Sequence, residues 1–215
     1  MGKKFVASYS GGKDSTLAIY NAIQEGNELI ALITTYNIDE GRSWSHGLPK
    51  SVLERVAQSL GAPAWIIETT GEKYAENFEK ALMSAKDYGA EICVFGDTDI
   101  EGHLHWGEKR CQEAGIKAKF PLWGKSRKAL VYEFIESGFT ATISVIDTDQ
   151  LSHRFLGSKL TKEIADQIAA EGADICGENG EYHTFVSTGP LFEQPIDFTF
   201  GEKITRDNYA ILPIE

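Results

Sequence analysis

The chain has 215 residues, 42% of them hydrophobic and 25% charged, an ordinary globular balance that excludes collagenous, disordered and coiled-coil classes. No apolar run reaches the roughly 18 residues a membrane-spanning helix needs, and Met1–Ala7 lacks the apolar core of a signal peptide, so a cytoplasmic protein is expected. Its 21 basic and 32 acidic residues leave a net charge of −11, which disfavours broad nucleic-acid binding and anionic membranes.

In chain order, Lys4–Ser8 is a short apolar run ending in glycines and predicts a strand, followed by a helix over Asp14–Gln24 with Ala18, Ile19, Ala22 and Ile23 on one face. Glu28–Tyr36 is β-branched enough for a strand buried on both faces. Ser51 with Glu54 suggests a capping box for a helix whose Val52, Leu53, Val56, Ala57 and Leu60 form one stripe. Ala64–Glu68 predicts a strand, and Tyr74, Phe78, Ala81, Leu82 and Ala85 a helix. Ile92–Gly96 predicts a strand, Glu108–Ala114 a short helix, Lys125–Ser137 another helix, and Thr140–Ile146 the last strand of the series.

This alternation implies a parallel sheet with helices on both faces, with all strand C-terminal ends on one rim. Beyond Asp147, a helix over Thr161–Ala170 and short runs at Thr184–Ser187, Ile196–Phe200 and Tyr209–Ile214 suggest a smaller α+β subdomain. The expected division is therefore 1–147 and 148–215, without a linker. Cys93, Cys111 and Cys176 form no Cys-x-x-Cys pair, which argues against a disulfide framework or a thiolate zinc site. His46 and His153 read as ordinary polar residues, and the cluster Lys117, Lys119, Lys125, Arg127 and Lys128 as a solvated helix start and loop.

Ser10-Gly11-Gly12-Lys13-Asp14-Ser15 lies between the first strand and the first helix. It is not a Walker loop, since Lys13 is followed by Asp14 and position 7 is alanine, and it contains no Gly-x-Gly-x-x-Gly. It is still an anion site on first principles. The glycines allow close backbone approach, and the helix start offers unpaired N–H groups and a positive dipole end. Ser10 and Ser15 add hydroxyls and Lys13 a cation, while Asp14 suits a helix cap or a magnesium ion.

The string Ser-Gly-Gly-x-Asp-Ser resembles the pyrophosphate loop of N-type ATP pyrophosphatases, enzymes of the adenine nucleotide alpha-hydrolase-like, Rossmann-like fold. The resemblance implies ATP and Mg as cofactors and cleavage between the α and β phosphates. It assigns Ser8, Ser10, Gly11, Gly12, Lys13, Asp14 and Ser15 to the phosphates and Asp14 to magnesium, and brings Thr34 and Tyr36 to adenosine. The lack of paired cysteines argues against sulfur transfer. With no room for a glutaminase domain, free ammonia is the expected nitrogen donor.

A second segment, Cys176-Gly177-Glu178-Asn179-Gly180-Glu181-Tyr182-His183-Thr184, together with Gly96-Asp97, His105-Trp106, Pro121-Leu122-Trp123, Leu156-Gly157 and Gly189-Pro190-Leu191-Phe192, resembles the diphthine–ammonia ligase family along essentially the whole chain. The resemblance implies conversion of diphthine on elongation factor 2 to diphthamide with ammonium, through an acyl-adenylate. Lys13, Glu181 and His183 are then the catalytic candidates. Asp97, His105, Trp106, Glu178, Asn179, Glu181 and Thr184 are the acceptor-site candidates, with aromatic rings and carboxylates for the quaternary cation. A homodimer is compatible with this reading. The rivals are a ligase of the same fold acting on a small metabolite or tRNA, which the acidic charge disfavours, and an adenine-nucleotide sensor. Ile38–Leu48, polar and glycine-containing, is the candidate lid.

Overall fold

The structure is a computed structural model that describes residues 2–44 and 46–215. Strand β1 (Lys4–Ser8) leads into α1 (Lys13–Gln24), then β2 (Glu28–Asn37), a short β3 (Arg42–Ser43), α2 (Lys50–Ser59), β4 (Ala64–Thr69), α3 (Tyr74–Asp87), β5 (Ile92–Val94), α4 (Glu101–Ala114) and β6 (Lys117–Lys119). The parallel strands run in the order β4-β2-β1-β5-β6, and β3 pairs antiparallel with the end of β2. The chain thus leaves β1 first toward β2 and later toward β5. Ligands bind at such a reversal, outside the strands' carboxyl ends, and there β1 hands the chain to Ser10–Ser15.

Both faces are covered. Phe5 and Ala7 of β1 join Leu32 of β2 under Leu17, Val52 and Val56 from α1 and α2. Val6, Ala31 and Ile33 turn the other way, toward Phe78 and Leu82 of α3 and Cys111 of α4. Alternate side chains enter opposite cores, so the stretches Phe5–Ala7, Leu29–Ile33 and Ile92–Val94 are apolar at every position. Among the described residues no helix is long and apolar enough to cross a membrane.

The remainder comprises α5 (Arg127–Glu136), β7 (Thr140–Asp147), α6 (Lys162–Ala170), β8 (Tyr182–Thr188), β9 (Ile204–Arg206) and β10 (Tyr209–Ile211). These four strands form an antiparallel sheet in the order β8-β7-β10-β9. Its inner residues Ile143, Phe185 and Val186 belong to the same buried cluster as Phe5 and Leu17. The two sheets therefore share one core.

Four expectations need correction. Thr140–Ile146 is not the last parallel strand; it pairs antiparallel with β8 and β10. A continuous apolar run reports burial on both faces and carries no information about direction. The capping box at Ser51 does not form: α2 starts at Lys50 behind Pro49, which leaves Ser51 inside the helix. Ile196–Phe200 makes only one bridge, Phe200 to Ile214, and the ladder strand lies at Ile204–Arg206. Ile196 is buried, and Phe198 packs edge-on to Phe185 and Phe200, so its alternation marks packing rather than pairing. Finally, α4 begins at Glu101, well before Glu108, and carries two glycines. A Cβ on Gly107 would lie 2.9 Å from Phe120 Cζ, so close packing requires the helix-weakening residue.

Gly96, just past β5, packs directly on the backbone of α1. A Cβ there would lie 2.6 Å from Ser15 N and 2.7 Å from Asp14 C, both backbone atoms of α1. Gly96→Ala is expected to destabilise the protein by about 1–3 kcal/mol through overpacking, read by urea unfolding. Gly102→Ala, which meets nothing within 4 Å, serves as the control and should unfold no earlier than the parent.

Candidate functional site

The phosphate loop is held from inside and from behind. Gly11 adopts φ +89, a left-handed value that favours glycine, and a Cβ on it would overlap Leu48. One on Gly12 would overlap the His46 ring. Ser10 Oγ and Ser15 Oγ lie 3.1 Å apart, Ser10 Oγ accepts from Gly12 N–H, and Ser15 Oγ–H donates to Gly12 O. Gly12 caps α1 without a side-chain bond, so neither Asp14 nor Ser15 acts as an N-cap. From behind, Val186 N–H donates to Gly11 O at 3.0 Å and Lys13 N–H to Thr184 Oγ1 at 3.0 Å. Strand β8 is the edge of its sheet, and its free side is closed by the loop.

Lys13 is buried. Its Nζ donates to Asp14 Oδ2 at 2.8 Å and to the Cys176 carbonyl, and lies 5.3 Å from the centre of the Tyr182 ring. Burial works against its charge, but Asp14, with Cys176, Tyr182 and Glu178 beyond, outweighs burial and holds the pKa well above the ordinary lysine value. Asp14, Cys176 and Glu178 present donor atoms within 4.8 Å of one another. Burial, reinforced by Asp14, pushes Glu178 up to about 7, and burial pushes the Cys176 thiol far up, so it stays protonated. Asp14 and Glu178 thus offer carboxylate oxygens, the ligand type a hard cation such as magnesium takes.

The second signature segment folds as a loop clasped by its own acids. Glu181 is buried, and its carboxylate accepts from Asp174 N–H, Asn179 N–H and the Asn179 amide at 3.1, 3.0 and 2.9 Å. Asp174 in turn accepts from Cys176 N–H and Glu178 N–H. Arg127, read from the sequence as part of a solvated cluster, is the external brace. It forks onto Asp99 with two bonds of 2.8 Å and reaches Asp174 at 2.7 Å and Asn179 Oδ1 at 3.4 Å. These carboxylates push its pKa still higher.

His46 is the other residue that the pattern did not single out. Its Nδ1 lies 2.8 Å from Thr184 O and its ring centroid 4.8 Å from that of His183, over Gly12. Burial, then the neighbouring His183, depresses it to about 3, and burial with Lys13 depresses His183 as well. Both imidazoles are neutral at pH 7. Only its distance from the loop in sequence hid His46, since His183 was already a candidate.

The remaining candidates divide. Ser8, Ser10 and Thr34 line a small cleft at the ends of β1 and β2 with Ser43, Trp44 and Tyr74. The Thr34 hydroxyl donates to Tyr9 O at 2.7 Å. Tyr36 is turned away: its hydroxyl binds the Gly41 carbonyl, and Lys50 sits over its ring. Asp97 approaches His103 Nδ1 at 3.1 Å, and burial raises its pKa. Trp106 packs on Phe78 and Tyr74 at 5.2 and 5.8 Å, while His105 is exposed on α4. Of the candidate lid, Ser45 lies outside the described residues; around it, β3 pairs with β2, and Leu48 is buried against the loop.

A parallel sheet that presents a glycine-rich loop and a helix N-terminus at its reversal point defines an α/β fold with an anion site where nucleotides bind. The chain belongs to the diphthamide synthase family: residues 3–118 match the diphthamide synthase N-terminal domain and residues 126–215 its C-terminal domain. It is similar to proteins named diphthine–ammonia ligase. The zebrafish protein is 22% identical over 98% of this chain and 92% of its own length, and the bovine protein 28% over 98% and 88%. That of Schizosaccharomyces pombe is 23% identical over 95% of this chain, which spans 38% of its length. A solved predicted subunit of a tRNA methyltransferase from Methanocaldococcus jannaschii overlays 90% of this chain and 100% of its own at 19% identity and TM-score 0.49. The chain is thus an ATP-dependent ligase of diphthamide synthesis.

The depressed His46 gives a signed prediction. Between about pH 6.5 and about 3 the unfolded chain binds a proton at His46 that the folded chain refuses. Its contribution is fully present above pH 6.5 and is lost as pH falls, by up to about 1.4 kcal/mol per pH unit. Chemical denaturation from pH 7.5 to 4.5 should show His46→Gln with a shallower acid slope than the parent. Parallel slopes would exclude the effect.

Proposed function

We propose that the protein amidates diphthine on elongation factor 2, with ammonium as nitrogen donor and ATP cleaved to AMP and pyrophosphate. The observation that carries the reading is the clamp of β8 on the phosphate loop, Val186 to Gly11 and Thr184 to Lys13. It unites in one site the segment that resembles a pyrophosphate loop and the segment that resembles the diphthine–ammonia ligase signature. The names and lengths of the zebrafish and bovine relatives support the same acceptor.

In this reading the acceptor carboxylate oxygen attacks the α-phosphorus, the bond to the bridging oxygen breaks, and pyrophosphate leaves. Ammonia then attacks the acyl carbon of the adenylate, AMP leaves with the bonding pair, and the amide nitrogen loses a proton. Ser10, Gly11, Gly12 and Ser15 bind the departing phosphates through hydroxyls and N–H groups at the positive end of α1. Asp14 and Glu178 hold magnesium, which supplies charge neutralisation on the leaving group.

Lys13 keeps those two carboxylates compatible with a buried anion site. His183, neutral and next to the loop, takes the proton. Glu181, whose oxygens are already occupied by loop donors, positions Asn179 and Asp174 rather than serving as base.

Incubation with Mg-ATP, ammonium and a diphthine-bearing elongation factor should yield AMP, not ADP, and an amidated target peptide by mass spectrometry. AMP without amidation would retain the ATP chemistry and discard the acceptor. Lys13→Met should lower turnover by about 100-fold or more, the loss seen when a preorganised charge is removed from a reacting phosphate or oxyanion site.

A further inference from the structure

A groove of about 730 Å³ lies between the β2–β3 hairpin and the outer strands of the second sheet, large enough to bury an extended organic side chain. Three large apolar side chains that remain exposed, Trp44, Ile204 and Tyr209, line it, and so does His183. It connects to the reacting centre in two ways. His183 stacks on His46, which covers Gly12. Ser43 and Trp44 wall both this groove and the small cleft beside Ser8 and Ser10.

The charges at its rim are of both signs. Arg206 is spent on Glu40, with both bonds at 2.9 Å. Its neighbour Asp207 also lines the groove, at φ +51, and among the described residues it takes part in no ion pair.

We propose that this groove receives the acceptor side chain, a residue extended by a quaternary ammonium and a carboxylate. This rests on the amidation reading above and specifies where its acceptor binds. The cation lies against the rings of Trp44 and Tyr209, with Asp207 as its counter-charge. The carboxylate then points past Ser43 toward the nucleotide cleft. Aromatic faces suit a quaternary ammonium because it has no N–H to satisfy and its diffuse charge is attracted to the ring quadrupole. Trp106, the aromatic acceptor-site candidate, packs on Phe78 and Tyr74 instead.

The test separates the groove from the amidation reading. Tyr209→Ala and Asp207→Asn touch neither the loop nor the nucleotide cleft. Each should raise KM for diphthine-bearing elongation factor about fivefold or more while KM for ATP and the melting temperature stay at parental values. An unchanged acceptor KM in both variants would overturn the proposal.

Independently of turnover, trimethylglycine, which carries a trimethylammonium and a carboxylate, should shift the indole N–H resonance of Trp44 saturably. Loss of that resonance in Trp44→Phe identifies it, and the shift should vanish in Tyr209→Ala. Absence of any shift in the parent would also overturn the groove. Binding of trimethylglycine without amidation of any elongation factor would place the failure in the acceptor's identity and leave the groove standing.

Discussion

Two hydrogen bonds hold this site together: Val186 N–H to the Gly11 carbonyl, and Lys13 N–H to the Thr184 hydroxyl. A glycine-rich loop in a left-handed conformation has little of its own to keep it in one shape. Here its outer carbonyl finishes the unpaired edge of β8, so an edge that would otherwise invite another strand becomes the back wall of an anion site. The same contact forces the two sheets to share a core. Phe185 and Val186 cannot lie beside Gly11 unless their apolar faces join Phe5 and Leu17. The second sheet therefore completes the first domain's loop.

That contact buries a lysine, which sets the electrostatics. An ammonium out of water is costly unless it is paired and hydrogen-bonded. Lys13 has Asp14, the Cys176 carbonyl and the Tyr182 ring. Two of those three groups come from the Cys176–Thr184 segment, so the loop's charge balance depends on the distal segment being in place. Glu181 and Asp174 fix that segment from within, and Arg127 fixes it from outside through Asp99. Arg127 suits the task because its planar fork can hold one carboxylate with two bonds and still reach a second. Acidic residues close to an anion site thus serve chiefly to hold the donors, and Glu178 remains directed toward Asp14 as the candidate cation ligand.

Much of this was legible in the sequence where the chemistry is local. The strand–loop–helix around Gly11 and Gly12 and the burial of β1 and β2 on both faces depend on neighbours a few residues away. What escaped depends on distance. His46 meets Thr184, and Arg127 meets Asp174, across segments that no periodicity connects. Each therefore looked like a polar residue in a loop. Strand β7 escaped for another reason: its apolar run is equally compatible with a parallel sheet and with an antiparallel sheet covered on both sides. Glu181 and Tyr36 show a third limit. Residue type and place in a motif suggested chemistry, but their polar atoms are consumed by backbone groups within a few positions.

The uneven lengths of β1 and β2 explain where an acceptor can approach. Strand β1 ends at Ser8, opposite Ile33, and turns into the phosphate loop, whereas β2 continues to Asn37. The side of β2 that β1 vacates is filled by β3, pairing Tyr36 with Ser43 and Asn37 with Arg42. This two-residue ladder is short, yet it stands Ser43 and Trp44 between the end of the parallel sheet and the outer face of the antiparallel one. A longer β1 would have closed that space with backbone, and a shorter β2 would have left nothing to divide it. Because the divider is made of side chains on a hairpin, the small cleft beside Ser8 and the wider groove adjoin without either core between them. His183, which follows Tyr182 on β8, faces the groove while its neighbour Thr184 holds the loop. Consecutive residues of one strand thus face the groove and the glycine-rich loop, as the alternation of a β-strand requires.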